Sequence, residues 1–124
     1  MANILCIDNS VTIRKIVKDC VEDLGYHFFE AENGIDGLNK LEEIDHLDMI
    51  ILDWNMPVMS GRETLTSFRN NDRSKDLIIL VLIKIENKDQ VMEAVDLGAT
   101  NYMLKPFSVN NLQIKIQELI QDAV

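Results

Sequence analysis

Two kinds of apolar spacing alternate along the chain, five times over. Residues 4–7, Ile-Leu-Cys-Ile, form a short unbroken apolar run that ends at Asp8. Ile13, Ile16, Val17, Cys20, Val21 and Leu24 then recur three and four apart, the stripe of an amphipathic helix. Gly25 stands where a helix commonly ends on a left-handed residue. Phe28, Phe29 and Ala31 mark a weaker second strand, Asn33-Gly34 a turn, and Ile35, Leu38 and Leu41 a short helix. The third strand, 49–52, ends at Asp53. Ser60-Gly61-Arg62-Glu63 has capping-box spacing and opens a helix carrying Leu65 and Phe68. Residues 77–83 predict a fourth strand. Asn87 and Gln90 open a fourth helix, with Val91, Ala94, Val95 and Leu97 on its stripe and Gly98 at its end. A fifth strand over 101–104 leads into Lys105-Pro106, and Ser108 caps a last helix that turns Val109, Leu112, Ile116, Leu119 and Ile120 inward.

Five strand–helix units with nearly continuous apolar strands predict a parallel sheet covered on both faces. Right-handed crossovers narrow this to a doubly wound α/β sandwich. The 124 residues suit one domain spanning 1–124. The longest apolar run, 77–83, is far short of a membrane span, and no basic segment precedes the first apolar stretch as a secretory leader would require. A cytoplasmic protein without membrane association is expected. Cys6 and Cys20 both fall at core-type positions with no Cys-x-x-Cys, so reduced thiols are expected. The net charge of −9 comes with no basic cluster, which argues against direct binding of nucleic acid.

Acidic excess alone says little, but this fold gives some of the acids a common address. In open α/β sheets, functional groups gather beyond the carboxyl ends of the strands. Those ends carry Asp8-Asn9, Asp53, Ile83 and Lys105. Two like charges about 4 Å apart repel by roughly 4 kcal/mol at an effective dielectric near 20. A hard divalent cation relieves such a pair, and Mg²⁺ suits a few carboxylates together with waters and a phosphate. Lys105 would then meet a phosphoryl oxygen as a compact charge, and a carboxylate beside such a metal is a competent phosphoryl acceptor. Taken singly, Asp8 serves equally well as a cap for the following helix, and Lys-Pro after a strand is ordinary loop.

At these residues the chain resembles the receiver domains of two-component response regulators, especially the stand-alone chemotaxis type. The matching segments are Ile-Leu-Cys-Ile-Asp-Asn, Asp53-Trp54-Asn55-Met56-Pro57 with Ser60-Gly61, Gly98-Ala99, and Tyr102-Met103-Leu104-Lys105-Pro106-Phe107. They span essentially the whole chain. The resemblance implies a flavodoxin-like sheet in the order 2-1-3-4-5. It implies Asp53 as phosphoacceptor, Lys105 as the phosphoryl-contacting lysine, and Asp8 with the next position as the Mg²⁺-holding pair. Asn55 would lend its backbone carbonyl to the metal, and Tyr102 would be the aromatic that changes rotamer on activation. As a strand residue, Tyr102 is equally well explained as an ordinary half-exposed aromatic. The implied partners are a sensor histidine kinase and a downstream protein that docks on the helix 4–strand 5–helix 5 face. Ile114 lies off the inward stripe there. The protein would be a monomer or transient dimer, and no enzyme beyond its own phosphorylation and dephosphorylation.

Two positions depart from the family pattern. Asn9 stands where a second acid is usual, bringing an amide oxygen without charge. Ile83, twenty-two residues before Lys105, stands where the family places a Ser or Thr whose hydroxyl contacts the phosphoryl group. These departures motivate an alternative, a phosphorylation-independent protein-binding module on the same scaffold. A haloacid-dehalogenase-type phosphatase would need an acid at position 55, which is Asn. A flavodoxin-type FMN site would need a glycine-rich phosphate loop after the first strand, where the chain has Asp8-Asn9-Ser10-Val11-Thr12.

Overall fold

The computed structural model describes residues 1–122. Its strands are β1 (Asn3–Ile7), β2 (His27–Ala31), β3 (Met49–Asp53), β4 (Ile78–Lys84) and β5 (Asn101–Lys105). The helices are α1 (Val11–Asp23), α2 (Gly34–Glu43), α3 (Gly61–Arg69), α4 (Val91–Asp96) and α5 (Val109–Asp122). The strands form one parallel sheet in the order β2-β1-β3-β4-β5. Side chains alternate across it. Leu5, Ile7, Ile50, Leu52, Val81 and Ile83 join the core layer beneath α2, α3 and α4. Ile4, Cys6, Met49, Ile51, Leu80 and Leu82 join the layer beneath α1 and α5. Central strands buried on both faces need apolar residues at every position, which is why 49–52 and 77–83 read as continuous runs.

The caps explain where the helices start. Ser10 accepts from the Ile13 N–H at 3.2 Å and opens α1. Asp8 is therefore not the cap, and its carboxylate is left for other work. Ser60 accepts from the Glu63 N–H at 3.1 Å, as the capping box predicts. Ser108 accepts from Asn111 N–H at 3.0 Å. Gly25 closes the end of α1 with φ +81°. Asn33 proves to be the N-cap of α2, accepting from the Asp36 N–H at 2.8 Å, rather than a free-standing turn.

Three apolar positions expected inward face solvent: Ile35, Val95 and Val109. The fourth helix also differs from expectation. Residues Ile85–Gln90 form a 3₁₀ helix interrupted by non-helical Asn87, no side chain caps it, and α4 proper begins only at Val91. None of the residues in that 3₁₀ segment is buried, so no apolar face draws it against the sheet.

Candidate functional site

The strand register brings the rim residues together. Ile7 of β1 pairs with Leu52 of β3, so the next residues, Asp8 and Asp53, lie side by side at the sheet's carboxyl edge. Lys105 ends β5, and its side chain reaches back to both acids. Nζ donates to Asp8 Oδ2 at 3.0 Å and to Asp53 Oδ1 at 3.1 Å. Those two oxygens thus lie within about 6 Å of each other, close enough for one small anion or cation to touch both. Asp8 is fully buried, and Asp53 nearly so.

Backbone donors hold each carboxylate in place. Asp8 Oδ1 accepts from the Ser10 N–H at 2.8 Å, and Asp53 Oδ1 accepts from the Asn55 N–H at 3.2 Å. The Asp53 contacts run to Oδ1, and among the described residues none runs to Oδ2. Burial raises the Asp53 pKa above the ordinary carboxylate value, and the charge of Asp8 adds to the rise. Lys105 and the Asn55 N–H pull the other way without cancelling it. For Lys105, burial alone would lower the ammonium pKa, but Asp53 and Asp8 outweigh it and leave the pKa raised. The rim therefore holds an ammonium against two crowded carboxylates.

Beside Asp53 the chain must pass very close to α3. A Cβ on Gly61 would lie 2.5 Å from Trp54 Cα and 2.8 Å from the Asp53 carbonyl oxygen, so only glycine lets the helix start against the strand end. Trp54, buried in the core layer, anchors the loop, and its backbone N–H donates to Leu82 O at 2.9 Å.

Each remaining candidate has a definite place. Asn9 is exposed, one residue past Asp8. Ile83 is fully buried in the layer with Trp54, Met56 and Ala94 and brings no polar atom to the rim. Tyr102 on β5 is 39% exposed, beside Ile114 in a shallow groove of about 510 Å³ between β5 and α5. A larger recess of about 710 Å³ lies along β2, between Lys18 and His46, and neither Asp8 nor Asp53 lines it. The Asp8–Asp53–Lys105 cluster lines neither of these hollows.

Two participants were not foreseen. Arg14 on α1 donates from Nη1 to the Asp8 carbonyl at 2.6 Å and from Nε to Glu30 at 2.8 Å, fixing the end of β1 against β2. Gln90 accepts from Asn55 Nδ2 at 3.3 Å. The only sequence signal for Arg14 is its place one turn into the helix after Asp8. For Gln90 there was none beyond its reading as a helix opener.

Among the described residues no three His, Cys, Asp or Glu side chains gather as a set able to hold a metal. The rim offers two carboxylates and neighbouring amide oxygens instead. That donor set is all oxygen and short of ligands, which fits Mg²⁺, an ion that usually keeps several waters and takes one or two carboxylates. Burial and the charge of Asp8 both penalise the ionised Asp53 carboxylate, and a cation there would offset them.

Residues 4–117 match the family described as the response regulator receiver domain. Over 119 residues the chain is 34% identical to the chemotaxis protein CheY of Pseudomonas aeruginosa, covering 95% of each chain. It is 33% identical over 118 residues to the chemotaxis protein CheY1 of Helicobacter pylori, covering 94% of this chain and 95% of that one. The solved chemotaxis response regulator CheY4 of Vibrio cholerae superposes with a TM-score of 0.89 at 34% identity, covering 96% of this chain and 98% of that one.

Proposed function

The chain belongs to the response regulator receiver domain family, and from that premise we propose that it is a phosphorylation switch charged on Asp53. A sensor histidine kinase or a small phosphodonor supplies the phosphoryl group, as for a chemotaxis-type regulator. The supporting observation is the shared grip of Lys105 on Asp8 and Asp53, at 3.0 and 3.1 Å, on a rim that also exposes Asn9.

Asp53 Oδ2, free of the contacts that hold Oδ1, attacks phosphorus. An O–P bond forms while the donor's P–N bond (phosphohistidine) or P–O bond (acetyl phosphate) breaks, and the leaving group takes the electron pair. The aspartyl phosphate brings about −1.5 to −2 units of charge to the rim, and Lys105 moves from carboxylate to phosphoryl oxygen. Asp8 and Asp53 would hold Mg²⁺, with Asn55 lending its carbonyl and Asn9 an uncharged amide oxygen. When bound, the ion neutralises developing charge on the phosphoryl oxygens. Because Asn9 supplies no charge, Mg²⁺ affinity is lower than two adjacent acids would give. The protein's covalent chemistry is confined to its own aspartate.

Output runs through protein contact on the α4–β5–α5 face, where Met92, Val95, Tyr102 and Ile114 are exposed. Free, buried Cys6 and Cys20 fit a reducing cytoplasm. The second reading, a binding module that works without phosphorylation, is favoured by one observation: Ile83 is wholly buried where a hydroxyl would serve the phosphoryl group.

Trp54 adjoins Asp53 and separates the readings. Acetyl phosphate or beryllofluoride with Mg²⁺ is expected to change its fluorescence, and acetyl phosphate to add the mass of one phosphoryl group. Asp53→Asn is expected to do neither. A folded wild type that shows neither response sinks the switch and leaves the binding module.

A further inference from the structure

Asn55 stands where three hydrogen bonds meet. Its backbone N–H donates to Asp53 Oδ1 at 3.2 Å, and its Nδ2 donates to Gln90 Oε1 at 3.3 Å. Its Oδ1 accepts from the Lys84 N–H at 3.5 Å. The first bond points at the proposed phosphoacceptor. The other two point at the end of β4 and the 3₁₀ segment that follows. One short side chain thus ties the loop after β3 to the loop after β4.

The fold offers no polar alternative at position 83. Ile83 is 0% exposed and packed among apolar residues, so a change at Asp53 has no hydroxyl there to pull on. The tied segment is also lightly anchored. Ile85–Gln90 has no buried residue and no side-chain cap, and Asn87 breaks its helix at φ −112°, ψ 23°. A segment with so few buried contacts takes its position from the polar contacts it does make. The half-buried Gln90 makes one of them, at the junction with α4.

We infer that Gln90 is a positioning residue, and that the Asn55–Gln90 amide pair is the link through which a change at Asp53 reaches Ile85–Asp96. It rests on the reading of Asp53 as phosphoacceptor. Esterification removes the negative charge from the Asp53 carboxylate, so the charge-assisted bond from the Asn55 N–H weakens while Lys105 turns to the phosphoryl oxygens. The Asn55 backbone then shifts, and its side chain carries the shift to Gln90, because a hydrogen bond tolerates little change in length or angle. Gln90 does not touch the phosphoryl group and acts only through Asn55.

Amide hydrogen exchange across residues 85–96 of the full chain reads this link, while Trp54 fluorescence reads occupancy at Asp53. In the wild type, beryllofluoride with Mg²⁺ is expected to change exchange over 85–96 several-fold relative to Mg²⁺ alone. Gln90→Leu matches the side chain in size but offers no acceptor, and should keep the Trp54 response while losing the change over 85–96. Gln90→Glu keeps an acceptor for Asn55 Nδ2 and should restore it. A Gln90→Leu response over 85–96 as large as the wild type's overturns the inference. So does a Gln90→Leu protein that loses the Trp54 response too, because the pair would then serve ligand holding. A wild type whose Trp54 responds while 85–96 stays unchanged overturns it as well. If the wild type shows no Trp54 response at all, the reading of Asp53 falls first and this inference with it.

Discussion

Lys105 and Arg69 lie at opposite ends of the β4–β5 half of the sheet, and the protein holds these two cations in opposite ways. At the carboxyl ends, Lys105 is held by two carboxylates. At the amino ends, Arg69 is held by neutral oxygens. Its Nε donates to Gly98 O at 2.8 Å, and its Nη1 to Leu77 O at 2.8 Å and to Ser74 O and Lys75 O at 3.2 Å. Its Nη2 donates to Thr100 Oγ1 at 3.3 Å. Burial lowers the Arg69 pKa, with Asp76 pulling the other way, whereas the carboxylates around Lys105 leave its pKa raised. Arg69 stitches the α3–β4 and α4–β5 loops together, with the fixed fork of a guanidinium meeting several carbonyls at once. Lys105 carries a point charge that can change partners without dismantling the backbone. One end of the sheet is fixed by backbone carbonyls, and the other, on the proposed reading, exchanges an anion.

The largest effect should come from the fixed end. Arg69→Met removes the guanidinium donor from the carbonyls of Gly98 and Leu77, while Ser74 O keeps the Leu77 N–H, and unsatisfied polar groups cost about 1–3 kcal/mol each when water cannot reach them. With partial rescue by solvent, stability in urea unfolding should fall by about 3 kcal/mol, while the folded protein keeps its Trp54 response to beryllofluoride. Loss of that response in folded protein would break the separation between the two ends.

Lys105→Met should cost less stability, about 2 kcal/mol, because Asp53, whose pKa is already raised, can take up a proton. That cost should shrink as pH is lowered, which unfolding at several pH values would show. Phosphorylation by acetyl phosphate should slow by about a hundredfold, the scale of losing one preorganised charge at a reacting anion. A variant as fast as wild type would make Lys105 a structural cation like Arg69.

The same contrast marks what the sequence disclosed. Strand and helix order was legible because periods of two and 3.6 leave different apolar traces. Asp8, Asp53 and Lys105 were legible because topology alone sends strand ends to one rim. The faces of the short helices were harder. On α2 the inward row is Gly34, Gly37 and Leu41, and Ile35 points out. A Cβ on Gly37 would come within 2.5 Å of Ile7 Cδ1, so the helix packs through a residue that an apolar count passes over. Arg14, Arg69 and Gln90 were illegible for another reason. Their partners are mainly backbone carbonyls or a distant amide, and no residue spacing encodes those.

The smallest predicted effect has the opposite sign. Asp53 has a raised pKa in the folded protein, so between the ordinary carboxylate value and that raised value the folded state binds more protons than the unfolded one. Stability then falls as pH rises through this window, and at neutral pH the ionised carboxylate is a net cost. Asp53→Asn keeps the shape and removes the charge, so the free protein should gain about 1 kcal/mol at pH 7, as when a strained functional site is relieved. In a domain of this size that is a few degrees in thermal midpoint. The gain should vanish once pH falls below the ordinary carboxylate range, where the wild type is protonated too. Lys105 limits the gain. Its raised pKa marks stability lost only as alkaline pH deprotonates the ammonium, and the Asp53→Asn variant forgoes part of that attraction at neutral pH. If Asp53→Asn instead lowered the midpoint at pH 7, attraction to Lys105 would outweigh burial and the repulsion from Asp8. The rim would then be a structural ion pair, and its likeness to the Arg69 end would replace the contrast.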